Sequence, residues 1–118
     1  MAASLAAKLN LKEGMKVRVL GKPGSVDLGD VIVSNAAKSD GVIAFAKSLK
    51  DVDTTCGPAV DAAREDRLAW IAYPKAGQLG TDLNRDILWK HLLKNGIQGV
   101  RQIALDDVWS AMRFRPKK

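Results

Sequence analysis

Cysteine and histidine are nearly missing from this chain of 118 residues, which has one of each, Cys56 and His91. One cysteine excludes an intramolecular disulfide framework and suits a reducing compartment. One histidine excludes metal sites built on several histidines and any catalytic pair that needs a second. No Cys, His, Asp or Glu pair has zinc spacing. Long apolar runs are missing too: nothing approaches the roughly 20 residues that cross a bilayer. Residues 1–12 lack the basic start and apolar stretch of a signal peptide. Repeats, low-complexity tracts and linkers are absent. These absences point to a soluble cytoplasmic protein with no membrane contact, no metal and no cofactor.

What is present is an ordinary globular composition, 47% hydrophobic and 27% charged. A chain this long buries roughly two-thirds of the surface it exposes when unfolded, enough for one core. Residues 1–118 therefore read as a single domain, and disorder, collagen repeats and coiled coil are excluded. The net charge is +6. Positive charge gathers densely only at Arg113, Arg115, Lys117 and Lys118, where it reads first as a solvated strand end and second as a contact for nucleic acid.

Residues 2–9 carry a short helical pattern. Residues 15–20 alternate apolar and charged, as a half-buried strand does, and 31–33 reads as a short second strand. The run 41–46 is almost wholly apolar, the mark of a strand covered on both faces. Ser48 is a candidate N-cap. Val52, Cys56, Ala59, Val60 and Ala63 follow at helical spacing, with Pro58 bending the helix or opening a new one near Gly57. That stripe makes Cys56 a small core residue. Leu68–Tyr73 is a second buried-strand run. A helix capped by Thr81 or Asp82 places Leu83, Ile87, Leu88 and Leu92 on one face, with Gly96 just past its end; His91, on this helix, reads as ordinary packing. Residues 100–105 and 109–115 alternate again and are close enough to form an antiparallel hairpin. The predicted fold is α/β: a layered, Rossmann-like sheet, mainly parallel, with helices on one or both faces and that hairpin at the end.

Three constellations could carry function. Tyr73, Lys75, Thr81, Asp82 and Arg85 surround a strand-to-helix loop, where open parallel sheets bind ligands and helix amides receive anions. Arg85 is also expected to pair with Asp106 or Asp107, a structural alternative to a site for an anionic ligand. Trp109 reads first as a core residue; exposed at a sheet edge beside Arg113 and Arg115, it would instead suit nucleic acid or a protein partner. Asp82, Asp86, Asp106 and Asp107 could hold a hard cation, although capping explains Asp82 more simply.

Two resemblances follow from the motifs. Asn10–Val17 leading into a strand, the strand 68–73, the helix from Thr81 and the terminal hairpin resemble a class I methyltransferase domain. The resemblance implies an acidic residue and a Gly-x-Gly turn after the first strand, yet the chain has Leu20-Gly21-Lys22-Pro23-Gly24, so the cofactor half is missing. Tyr73-Pro74-Lys75, Thr81-Asp82-Leu83-Asn84-Arg85-Asp86 and Asp106-Asp107-Val108-Trp109-Ser110-Ala111-Met112-Arg113-Phe114-Arg115 resemble a small bacterial family of unknown function. Together they imply a non-enzymatic binding or interaction module resembling a degenerate methyltransferase domain. The alternatives are a small-ligand binder or minimal enzyme at residues 74–85, and nucleic-acid binding through the last strand. The partner, whether small anion, protein or a second copy of the chain, stays open.

Overall fold

The computed structural model describes residues 9, 15–21, 32–34, 40–75, 85–105 and 108–116. Six strands form one sheet, β1 (Lys16–Leu20), β2 (Ile32–Val33), β3 (Gly41–Phe45), β4 (Leu68–Pro74), β5 (Ile97–Ala104) and β6 (Trp109–Pro116), in the order β2-β1-β3-β4-β6-β5. The described helices are α1 (Leu49–Thr55), α2 (Gly57–Arg64) and α3 (Arg85–Leu93).

The sheet is mixed, which corrects the expectation of a mainly parallel, Rossmann-like one. β1, β2, β3 and β4 pair in parallel through two, four and five register partners. β6 pairs antiparallel with β4 through six partners and with β5 through seven. The reason lies in the short connection 105–108, which can only return the chain antiparallel. Its strand then enters between β4 and β5 instead of adding outside them. One hairpin thus converts two pairings, and more of the ladder runs antiparallel than parallel.

Local chemistry explains the element ends. Ser48 is extended and its Oγ accepts from the Asp51 amide at 3.3 Å, while Lys47 N donates to Asp51 Oδ2 at 3.1 Å. The Ser48 side chain thus caps α1, and Asp51 reaches back one residue beyond the N-cap to hold the entering chain. Pro58 sits in the first turn of α2, so Cys56 separates two helices where one bent helix was the alternative. Asp66 closes α2 at a left-handed φ of 59°. Gly96, at φ 85°, turns the chain from α3 into β5, which starts at Ile97, three residues before the alternating pattern suggested.

Two clusters of buried side chains lie on opposite faces of the sheet. One joins Val52, Ala59, Ala63, Leu88 and Leu92 from all three helices to Ile71, Tyr73, Met112 and Phe114. The other joins Val17, Ile43, Phe45, Trp70, Trp109 and Ala111 to Leu9. β3 and β4 are buried along their whole length, as residues touching both clusters must be. Ile87 departs from expectation. It is 39% exposed, because Leu88 and Leu92, one turn apart, already fill the inward stripe of α3. Among the described residues no helix is long and apolar enough to cross a membrane.

Candidate functional site

The expected loop site divides sharply. Thr81, Asp82, Asp106 and Asp107 lie outside the described residues, and so does the expected pairing of Arg85 with the aspartates. Arg85 is the first residue of α3. Tyr73 is a core residue, 2% exposed, whose hydroxyl accepts from Gln102 Nε2 at 2.7 Å. This bond reaches from β4 across β6 to β5 and ties the hairpin to the parallel half. Lys75 is half-buried, and its amide donates to the Val108 carbonyl at 2.7 Å, continuing the β4–β6 pairing past the strand end. Both residues have structural work at the positions where a ligand role was expected.

Gly21 is the glycine after β1. It has φ 69°, and a Cβ built on it would lie 2.9 Å from the Phe45 carbonyl oxygen and 3.1 Å from Thr55 Cγ2. Only glycine fits this left-handed position against Phe45 and Thr55.

The second constellation needs a correction. Trp109 is 2% exposed and meets Phe45 edge to face, with ring centroids 5.3 Å apart. It is a core aromatic and offers no stacking surface. The pattern that suggested a sheet edge misled because β6 is an interior strand. Trp89, on α3, is the exposed tryptophan, at 38%.

The arginines do come together. Arg113 stands opposite Arg101 in the β5–β6 register, and Arg115 stands opposite Gln98. Because Arg113 also faces Trp70 across β4, these side chains lie on the sheet face of the second cluster. Arg115 donates from Nε to Asp66 Oδ1 at 3.0 Å and from Nη2 to Oδ2 at 3.2 Å. That fork geometry raises its pKa. Arg113 is half-buried. Its Nε is inaccessible and has no hydrogen-bond partner among the described residues. Burial, then the nearby Arg115 and Arg101, lower its pKa against the opposing pull of Asp66. Like charges placed directly across a strand pair repel. Arg101 and Arg113 thus face each other on this side of the hairpin, while the charge of Arg115 is balanced by Asp66.

A groove of about 210 Å³ lies along the rim of the same hairpin, lined by Trp89, Gly99, Val100, Arg101, Gln102 and Met112. It exists because Val100 is an extra residue between the pairings of Gly99 and Arg101, a β-bulge that leaves it 47% exposed. Gly99 opens the groove down to Met112, whose Sδ is 2.5 Å from where a Cβ would stand. Neither feature was read from the sequence. The signals were Gly99 within a β-branched strand, which commonly marks a bulge or close approach, and Trp89 beside the buried Leu88.

The two remaining chemical residues have plain roles. Cys56 is fully buried, and burial, then Asp51 and Asp53, push its thiol up to about 12. His91 Nε2 lies 2.7 Å from Asp53 Oδ1, joining α3 to α1. Among the described residues no group of three or more His, Cys, Asp or Glu could hold a metal ion. No protein-family model matches the chain, and no curated protein matches it, so no residue's role is carried over from a relative.

Proposed function

We propose that the protein is a non-enzymatic binding module whose terminal hairpin engages an anionic partner. The observation that carries this reading is the register pairing of Arg101 with Arg113 beside Arg115 on one sheet face. Facing guanidinium groups repel, and an incoming anion turns that repulsion into attraction. The buried thiol of Cys56, held protonated, supports a packing role over a nucleophilic one.

Retention on immobilised heparin, read as the salt concentration at elution, tests the reading. Arg101→Glu and Arg113→Gln should elute far earlier than the unaltered protein. Lys47→Glu and Lys50→Glu, at the start of α1, serve as controls that also remove positive charge. If all four variants shift by the same amount per unit charge, retention reflects net charge alone and the reading fails.

A further inference from the structure

We propose that Asn95–Gly96 is a spontaneous modification site, a deamidating pair that the last turn of α3 holds closed and that Arg64 gates.

Asn95 is the chain's one asparagine followed by glycine; Asn10, Asn35 and Asn84 precede Leu, Ala and Arg. Glycine has no Cβ to crowd its amide, so the Gly96 nitrogen can approach the Asn95 side chain. It attacks Cγ and gives up its proton, the new C–N bond closes a cyclic imide, and the side-chain nitrogen leaves as ammonia. Water then adds to one of the two imide carbonyls and opens the ring to an aspartate or an isoaspartate. Water is the only other reactant.

The fold controls how often the ring can close. Both reacting groups are tied to α3: the Gly96 amide donates to the Leu93 carbonyl at 3.2 Å, and Asn95 Nδ2 donates to the His91 carbonyl at 3.1 Å. Closure needs the Gly96 nitrogen on Cγ, so both bonds must break first. The Asn95 carbonyl is held from a second helix, since Arg64 Nε donates to it at 2.8 Å. Arg64 Nε also lies 4.0 Å from where a Cβ on Gly96 would stand. Asn95 cannot swing its peptide toward its own side chain without leaving this guanidinium. Helix ends open locally, at a fraction of the cost of global unfolding. Gly96 is exposed and Asn95 half-buried, so water reaches the imide once the turn opens. Brief opening of this turn is therefore the route, and the sheet stays intact.

The product alters the corner where the three helices meet. Asn95 lines a cavity of about 190 Å³ together with Asp53, Asp61 and Arg64. Deamidation removes the donor to the His91 carbonyl and adds a carboxylate to a cavity that already has two. One of these, Asp53, is the group that His91 Nε2 meets at 2.7 Å. An isoaspartate also lengthens the backbone at the left-handed turn of Gly96. Both changes loosen α3 from α1 and α2.

The test incubates the full chain at pH 8, folded and in concentrated urea, and maps its peptides by mass spectrometry that separates aspartyl from isoaspartyl forms. Both products are expected at Asn95, at least tenfold faster in urea than in the fold. Arg64→Ala should speed the folded reaction at least threefold with an unaltered circular dichroism spectrum. Ile43→Val, a destabilising change in the cluster on the opposite sheet face, should leave the folded rate within about twofold. Modified protein isolated by ion exchange should melt below the parent. Asn95 left intact in urea would overturn the site. Equal rates in the fold and in urea would overturn the restraint by α3, and an unchanged rate in Arg64→Ala would overturn the gate. Acceleration by Ile43→Val as large as that by Arg64→Ala would make global unfolding the route and overturn local opening, and an unchanged melting midpoint would overturn the loosening of α3.

Discussion

At the scale of single residues, the energetics turn on space and protonation. Cys56 is the clearest case. In the unfolded chain a thiol ionises near pH 8.5, whereas in the fold it keeps its proton to about 12. The folded state therefore binds more protons between these values, and stability must fall as pH rises through that window. The slope due to this group approaches about 1.4 kcal/mol per pH unit, and below pH 8 it vanishes. Urea melts of the parent protein and Cys56→Ala from pH 8 to 11 should show the parent losing stability more steeply. Parallel curves would mean that the thiol is not held protonated by burial. Two glycines offer a second test of opposite sign. Gly21→Ala forces a side chain into a left-handed backbone and against the Phe45 carbonyl, so a loss of at least about 1–2 kcal/mol is expected. Gly57→Ala, in the first turn of α2 with nothing within 4 Å of the new Cβ, should gain up to about 1 kcal/mol. Differential melting of the two variants checks both signs at once.

At the scale of elements, the hairpin edge depends on one contact that substitution can isolate. Gly99→Ala would bring a Cβ to 2.5 Å from Met112 Sδ, forcing the thioether aside at about 1–3 kcal/mol. With Met112→Ala in the same chain the clash is gone, so the double variant should cost clearly less than the two single losses combined. A double-mutant cycle with strictly additive losses would show that Gly99 is there for another reason. This edge was poorly legible in the sequence, and the cause is general. A bulge belongs to a pair of strands, so Gly99 could hint at one within 97–104 but not show that Val100 is the residue lacking an opposite partner. For the same reason Trp109 read as an edge residue, since its burial depends on β6 lying between β4 and β5. Features set by neighbours in the chain were legible. Ser48 caps α1 through Asp51, Pro58 opens α2, and β3 and β4 are buried as their unbroken apolar runs required. Of the candidate site, the arginine cluster was legible as dense charge, but its partner Arg101 came only from the register.

At the scale of the whole molecule, the two faces of the sheet are closed by different means. All three described helices send side chains into one cluster. On the other face Leu9 covers Trp70, and the Trp70 indole donates from Nε1 to the Leu9 carbonyl at 3.0 Å. Both residues are fully buried, so this contact joins position 9 to the central strand β4 across 61 residues of sequence. Trp70→Phe would leave that carbonyl without its donor, at an expected cost of about 1–3 kcal/mol, part of it from lost packing. Leu9→Ala would open a cavity against Trp70, Ile43 and Val17, and comparable core truncations cost about 2–5 kcal/mol. The residues share one contact, so their losses should not add. In guanidinium melts the double variant is expected to lose less than the two single changes together. If Leu9→Ala instead leaves the midpoint unchanged, Leu9 contributes nothing to closing that face. The arginine face lies on this same side of the sheet, with Arg113 directly opposite Trp70. A change that loosens Leu9 should therefore also weaken heparin retention, whereas a truncation in the helix-covered cluster, such as Val52→Ala, should lower stability and leave retention unchanged.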